Sequence, residues 1–131
     1  KTGKYVVNIT NLKNEYYSDQ TNRFRLFARE KDWSPNIFTV AQSTVTNLIF
    51  ESASYQISRV VDDEIIVAYG TGSTNHTLLS YDVSGNYFDL DMSMLEPDYS
   101  YRINISVYED SLSSYVEQAN TFKFKVSKYE Y

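Results

Sequence analysis

The chain has 131 residues, 42% of them hydrophobic, with a net charge of -5 at neutral pH and no cysteine. One domain of this length buries a core without covalent staples, and the missing thiols exclude disulfides, cysteine nucleophiles and thiolate metal sites. The acidic balance argues against a nucleic-acid surface, and no apolar run approaches the roughly 18 residues of a membrane-spanning helix.

Helical spacing is absent, and period-two alternation recurs in chain order. Tyr5, Val7 and Ile9 alternate with Val6, Asn8 and Thr10. Residues 18–22 read as a turn, after which Phe24, Leu26 and Ala28 alternate with three arginines. Trp33 stands in a loop with Ser34-Pro35-Asn36, and weaker strand segments lie at 38–41 and 45–50. Tyr55, Ile57 and Val61 share one face of the next strand. The apolar run 65–69 predicts a central strand buried on both sides. Residues 70–76 form a polar glycine loop, 78–82 a weak strand, and Ser84-Gly85-Asn86 a tight hairpin turn. Phe88, Leu90 and Met92 then alternate with Tyr87, Asp89 and Asp91. Tyr101, Ile103, Ile105 and Val107 alternate with polar neighbours. Residues 110–120 read as a polar loop, and Phe122, Phe124 and Val126 close the pattern. About ten such strands at this spacing predict an all-β sandwich or barrel. The expectation is one domain over residues 1–131. With Lys1 first and no signal-like segment, it is expected to be a fragment or a processed chain.

Candidate chemistry is sparse. His76 is the only histidine, and in Asn75-His76-Thr77 a solvated loop residue is the better reading. Asp62-Asp63-Glu64 and the pair Asp89 and Asp91 could hold calcium between loops, but they match no calcium-loop spacing and suit solvated turns and strand faces equally. Paired carboxylates could also serve a glycosidase, yet nothing marks one as protonated. Gly70-Thr71-Gly72-Ser73 lacks the lysine and helix of a phosphate loop. Sequons at Asn8, Asn75 and Asn104 are no more than this composition produces by chance. No enzyme activity, metal or cofactor is expected.

The most specific local pattern is Leu95-Glu96-Pro97-Asp98-Tyr99-Ser100-Tyr101. It resembles the corner before strand F of fibronectin-III and immunoglobulin-like sandwiches, where a tyrosine packs inward and returns its hydroxyl to the corner backbone. The resemblance implies an antiparallel β-sandwich, immunoglobulin-like or fibronectin-III-like with extra strands. Leu95, Pro97 and Tyr101 become its structural corner, with a long excursion between Glu30 and Ser54. It departs in lacking a tryptophan on an early strand. The stretches 79–82 and 85–92, with 23–29 and 122–126, are similar to segments of tailed-bacteriophage virion structural proteins. That likeness implies capsid decoration, a tail part or a fibre, and no functional residues.

Thirteen tyrosines remain to be placed. Tyr16, Tyr17, Tyr99, Tyr108, Tyr115, Tyr129 and Tyr131 need not all be in the core, and exposed aromatics supply contact area with a polar handle. The predicted contact residues are Tyr16, Tyr17, Trp33 and Tyr115. The expected role is a structural or assembly module of a virion or other extracellular particle, binding neighbouring protein subunits and possible as a homo-oligomer. A carbohydrate-binding or adhesion module on a bacterial surface or secreted protein, binding a surface glycan, is the alternative.

Overall fold

In the computed structural model the described residues are 5–30, 48–70 and 77–128. Alternation and strand coincide where it is strongest: β1 (Tyr5–Ile9), β3 (Thr21–Glu30), β4 (Ala53–Arg59), β7 (Gly85–Asp91) and β8 (Tyr99–Glu109). Shorter elements are β2 (Glu15–Tyr17), β5 (Ile65–Val67) and β6 (Ser80–Asp82), and the chain ends on β9 (Ser114–Ser127). One sheet has the order β1-β3-β7-β6 and the other β2-β9-β8-β4-β5. They form a two-layer, all-β sandwich.

Among the described residues every pairing is antiparallel except one: β2 runs parallel to β9, with Tyr16 opposite Val126. The N-terminal segment therefore serves both layers. β1 pairs with β3 up to Ile9 opposite Leu26. Asn11 then prolongs that ladder with its side chain, accepting from the Arg25 N–H at 2.9 Å and donating to the Arg23 carbonyl at 2.8 Å. This frees the backbone to cross to the other sheet.

Aromatic rings join the layers. Phe24 is fully buried, stacks on Phe88 at 5.1 Å, and meets Tyr16 edge-on at 5.4 Å. Tyr55 stacks on Phe88 at 4.1 Å, and Phe124 stands between Tyr16 and Tyr101. Among the described residues three tyrosines, Tyr16, Tyr55 and Tyr101, are thus core residues. The corner is formed as the sequence predicts: Leu95 and Tyr101 are buried, and the Tyr101 hydroxyl donates to the Glu96 carbonyl at 2.6 Å.

Four expectations change. The apolar run 65–69 is not a central strand: only Ile65–Val67 is extended, at the sheet edge, and Ile65 is 52% exposed. Val61 leaves the predicted inner face and lies exposed after β4. Residues 114–120 are strand, not loop, because β9 continues the hairpin with β8 past a register shift between Asn104 and Ser106. The hairpin turn is Val83-Ser84, with Gly85 already paired to Asp82 and taking the positive φ of 123°. The segment 38–41 lies outside the described residues, and residues 48–50 are irregular.

Candidate functional site

The two poles of the sandwich differ. At the pole of the Tyr101 corner three carboxylates are paired with arginines. Asp62 and Glu64 both bind Arg59, at 2.9 Å and 2.7 Å, and Asp63 binds Arg102 at 3.0 Å. Arg59 also lies over the Tyr99 ring, 4.8 Å from its centroid. On the outer face of the first sheet, Arg23 chelates Asp89 and Arg25 chelates Asp82, and both guanidiniums stack on Tyr87. These arginines hold Asp62, Asp82 and Asp89 below the usual carboxylate range. Asp91 caps the 3-10 turn Met92–Met94 by accepting from Ser93, which lowers its pKa too. Asp62, Asp63, Asp89 and Asp91 are each spent on a partner within the chain.

The opposite pole is built around the end of the β8–β9 hairpin. Its turn closes with Leu112 N–H donating to Glu109 O and Ser113 N–H to Asp110 O, and Ser113 takes φ 50°. Strand alternation turns Tyr108 and Tyr115 outward as a directly opposed pair. Their rings meet edge-on, centroids 5.4 Å apart at 73°, and they are 38% and 50% exposed. Leu112 is exposed on the turn beyond them.

The neighbouring segment 48–52 is held against this hairpin by two devices. Tyr108 N–H donates to Ser52 O at 3.0 Å. Buried Asn86 clamps Phe50, accepting from its N–H at 2.7 Å and donating to its carbonyl at 2.8 Å and to that of Ser80 at 3.2 Å. Phe50 in turn meets Tyr5 edge-on at 4.9 Å. Between segment and hairpin lies an open groove of about 240 Å³, lined by Tyr5, Ile49, Phe50, Glu51, Ser52, Tyr108 and Asp110. Aromatic faces, an exposed Ile49 and two carboxylates therefore share one concavity. Next in sequence to Tyr108, Glu109 is 5% exposed and its Oε2 has no hydrogen-bond partner among the described residues.

On the outer face of the second sheet, Tyr69 donates its hydroxyl to Glu117 at 2.9 Å. Burial first, then the adjacent carboxylate, pushes the Tyr69 phenol well above its ordinary value.

The three predicted contact residues that are described, Tyr16, Tyr17 and Tyr115, do not converge. Tyr16 is a core residue, 3% exposed, with Lys13 N–H donating to its hydroxyl at 2.9 Å. Its expected surface role is corrected: parallel pairing of β2 with β9 turns its ring inward. Tyr17 is exposed on the same short strand, at the far end of β9 from Tyr115. Trp33, Tyr129 and Tyr131 lie outside the described residues, as do His76 and the residues 71–73 of the glycine loop. Tyr115 joins the aromatic pole. Its companions Tyr5, Ile49, Phe50, Glu51 and Asp110 were not singled out from the sequence. Outward alternation along β8 marks Tyr108, but nothing local marks the segment 48–52.

The chain matches no protein-family model, no curated protein and no solved structure. Among the described residues there is no cluster of three or more metal-ligating side chains and no helix long and apolar enough to cross a membrane.

Proposed function

We propose that this domain is a non-catalytic assembly module of an extracellular particle, a virion foremost, and that it contacts neighbouring copies through its aromatic pole. The observation that carries this is the exposed pair Tyr115 and Tyr108 beside a groove that Tyr108 shares with exposed Ile49 and half-buried Phe50 and Tyr5. Tyrosines set on a rigid hairpin give contact area at little conformational cost. The virion itself is carried over as an expectation from the sequence's resemblance to tailed-phage structural proteins, and no match to a known protein supports it.

An immunoglobulin-like plan is part of this proposal. The order β1-β3-β7-β6 opposite β9-β8-β4 parallels the ABED and GFC sheets of that fold. The Tyr101 corner stands where such a sandwich carries its tyrosine corner, at the start of strand F.

Glycan binding is the second reading, favoured by Glu51 and Asp110 beside Tyr108 in the groove. Against it, Tyr108 and Tyr115 are not coplanar and offer no flat platform for a sugar ring.

Amide hydrogen exchange at low and high protein concentration tests the proposal. Protection that rises with concentration at 49–52 and 108–115 supports copy-to-copy contact. Protection confined to those segments on adding an oligosaccharide, with no concentration effect, supports the glycan reading instead.

A further inference from the structure

The chain uses one constellation repeatedly: a guanidinium held between a carboxylate and a tyrosine face. Arg23 sits between Asp89 and Tyr87, Arg25 between Asp82 and Tyr87, and Arg59 between Asp62 and Tyr99. The planar, weakly hydrated guanidinium suits both partners at once.

The groove at the aromatic pole has the same two partners without the third. Tyr108 lines it together with Glu51 and Asp110. Neither carboxylate forms an ion pair or a side-chain hydrogen bond among the described residues, and no arginine lines the groove. Its volume of about 240 Å³ falls below the roughly 300–1,000 Å³ of sites for free small molecules. A single inserted side chain is the better match.

All five arginines of the chain are described. Arg23, Arg25, Arg59 and Arg102 are each paired with a carboxylate. Among the described residues Arg29 alone of the arginines meets no carboxylate; its guanidinium donates to the Glu30 carbonyl, at a long 3.3 Å. Arg29 lies at the same pole, opposite Val6 in the β1–β3 ladder and next to the pairing of Tyr5 with Glu30. Alternation places it on the outer face of its sheet, away from the side on which Tyr5 packs against the core. Its own groove is therefore on the wrong side for it.

We infer that the groove formed by Tyr108, Glu51 and Asp110 is a binding site for Arg29 of a second copy of this chain. The pole is then self-complementary: each copy supplies one arginine and one acidic aromatic groove, as a two-fold interface requires. The inference rests on the aromatic pole being a contact surface between copies, and names the charged pair that sets its geometry. Paired rims of this kind fix register and partner choice.

A charge swap tests it, read by light scattering and native mass spectrometry. Arg29→Glu alone, and Glu51→Arg with Asp110→Arg alone, each lose self-association by about tenfold or more, since like charges then face each other. Mixing the two variants restores association as a mixed pair, in which one site is wild type and the other reversed. Circular dichroism on each variant separates lost contact from lost folding. If the mixture stays as dissociated as its components, with both variants folded, the arginine pairing is overturned. If Arg29→Gln associates like the wild type while Tyr108→Ser with Tyr115→Ser does not, the pairing is again overturned but the contact surface stands.

Discussion

The Tyr101 hydroxyl donates to the carbonyl oxygen of Glu96, 2.6 Å away, while its ring lies fully inside the sandwich. This bond ties the crossing between the two sheets to the start of β8, the strand that carries Tyr108 at its other end. Tyr101→Phe is expected to lower unfolding free energy by about 1 kcal/mol, the scale of one buried hydrogen bond. Urea unfolding measures it directly; an unchanged midpoint removes the corner as a stabilising device.

Phe24 is the centre of the core, touching rings from both sheets. Phe24→Ala is expected to cost roughly 3–5 kcal/mol, since it deletes a buried ring and leaves a cavity. Most of a small domain's stability disappears with it. Thermal unfolding of the variant checks this, and a loss below about 1 kcal/mol would show that the layers do not depend on this ring.

Asn86 positions the groove without lining it. Removal of its carboxamide in Asn86→Ala leaves the Phe50 N–H and carbonyl without their partner, at about 1–3 kcal/mol for each group that stays buried. The expected signature is local as well as global: amide exchange at 48–52 accelerates more than exchange in β3 or β8. Uniform acceleration across the fold would mean the clamp has no local role.

Tyr69 gives an alkaline signature. Its phenol is raised above the ordinary value near 10 by burial and by Glu117. A raised folded-state pKa stabilises fully below the unfolded value and loses that contribution as pH rises above it. Stability should therefore fall above about pH 10, by at most about 1.4 kcal/mol per pH unit for this group. Buried Tyr16, Tyr55 and Tyr101 are shifted the same way and share the trend. Tyr69→Phe should make the decline shallower, measured as urea midpoints between neutral and strongly alkaline pH. An identical slope in wild type and variant would show that Tyr69 ionises as freely as in the unfolded chain.

Much of the fold was legible because burial on one face writes period two into the sequence. Phe24-Leu26-Ala28, Phe88-Leu90-Met92 and Tyr101-Ile103-Ile105-Val107 face inward as alternation predicts. The corner was legible because its chemistry is local. Tyr16 was not: β2 has three residues, no alternation, and a partner more than a hundred positions away. The run 65–69 misled because an apolar run does not tell a buried centre from an edge whose neighbour, Tyr69, folds over the outer face to Glu117. Of the candidate site, alternation along β8 marks Tyr108, whereas Tyr115 stood out only as an aromatic of an expected polar loop that is in fact strand. The groove depends on Asn86 clamping Phe50 across 36 positions, for which the sequence carries no local sign.

The most direct test of the central claim is solution mass by light scattering over about a hundredfold range of protein concentration, where association shows as a mass-action shift. The account predicts a defined oligomer that forms with rising concentration and is lost in Tyr108→Ser with Tyr115→Ser. A monomer at every concentration, or an oligomer indifferent to those substitutions, would contradict it.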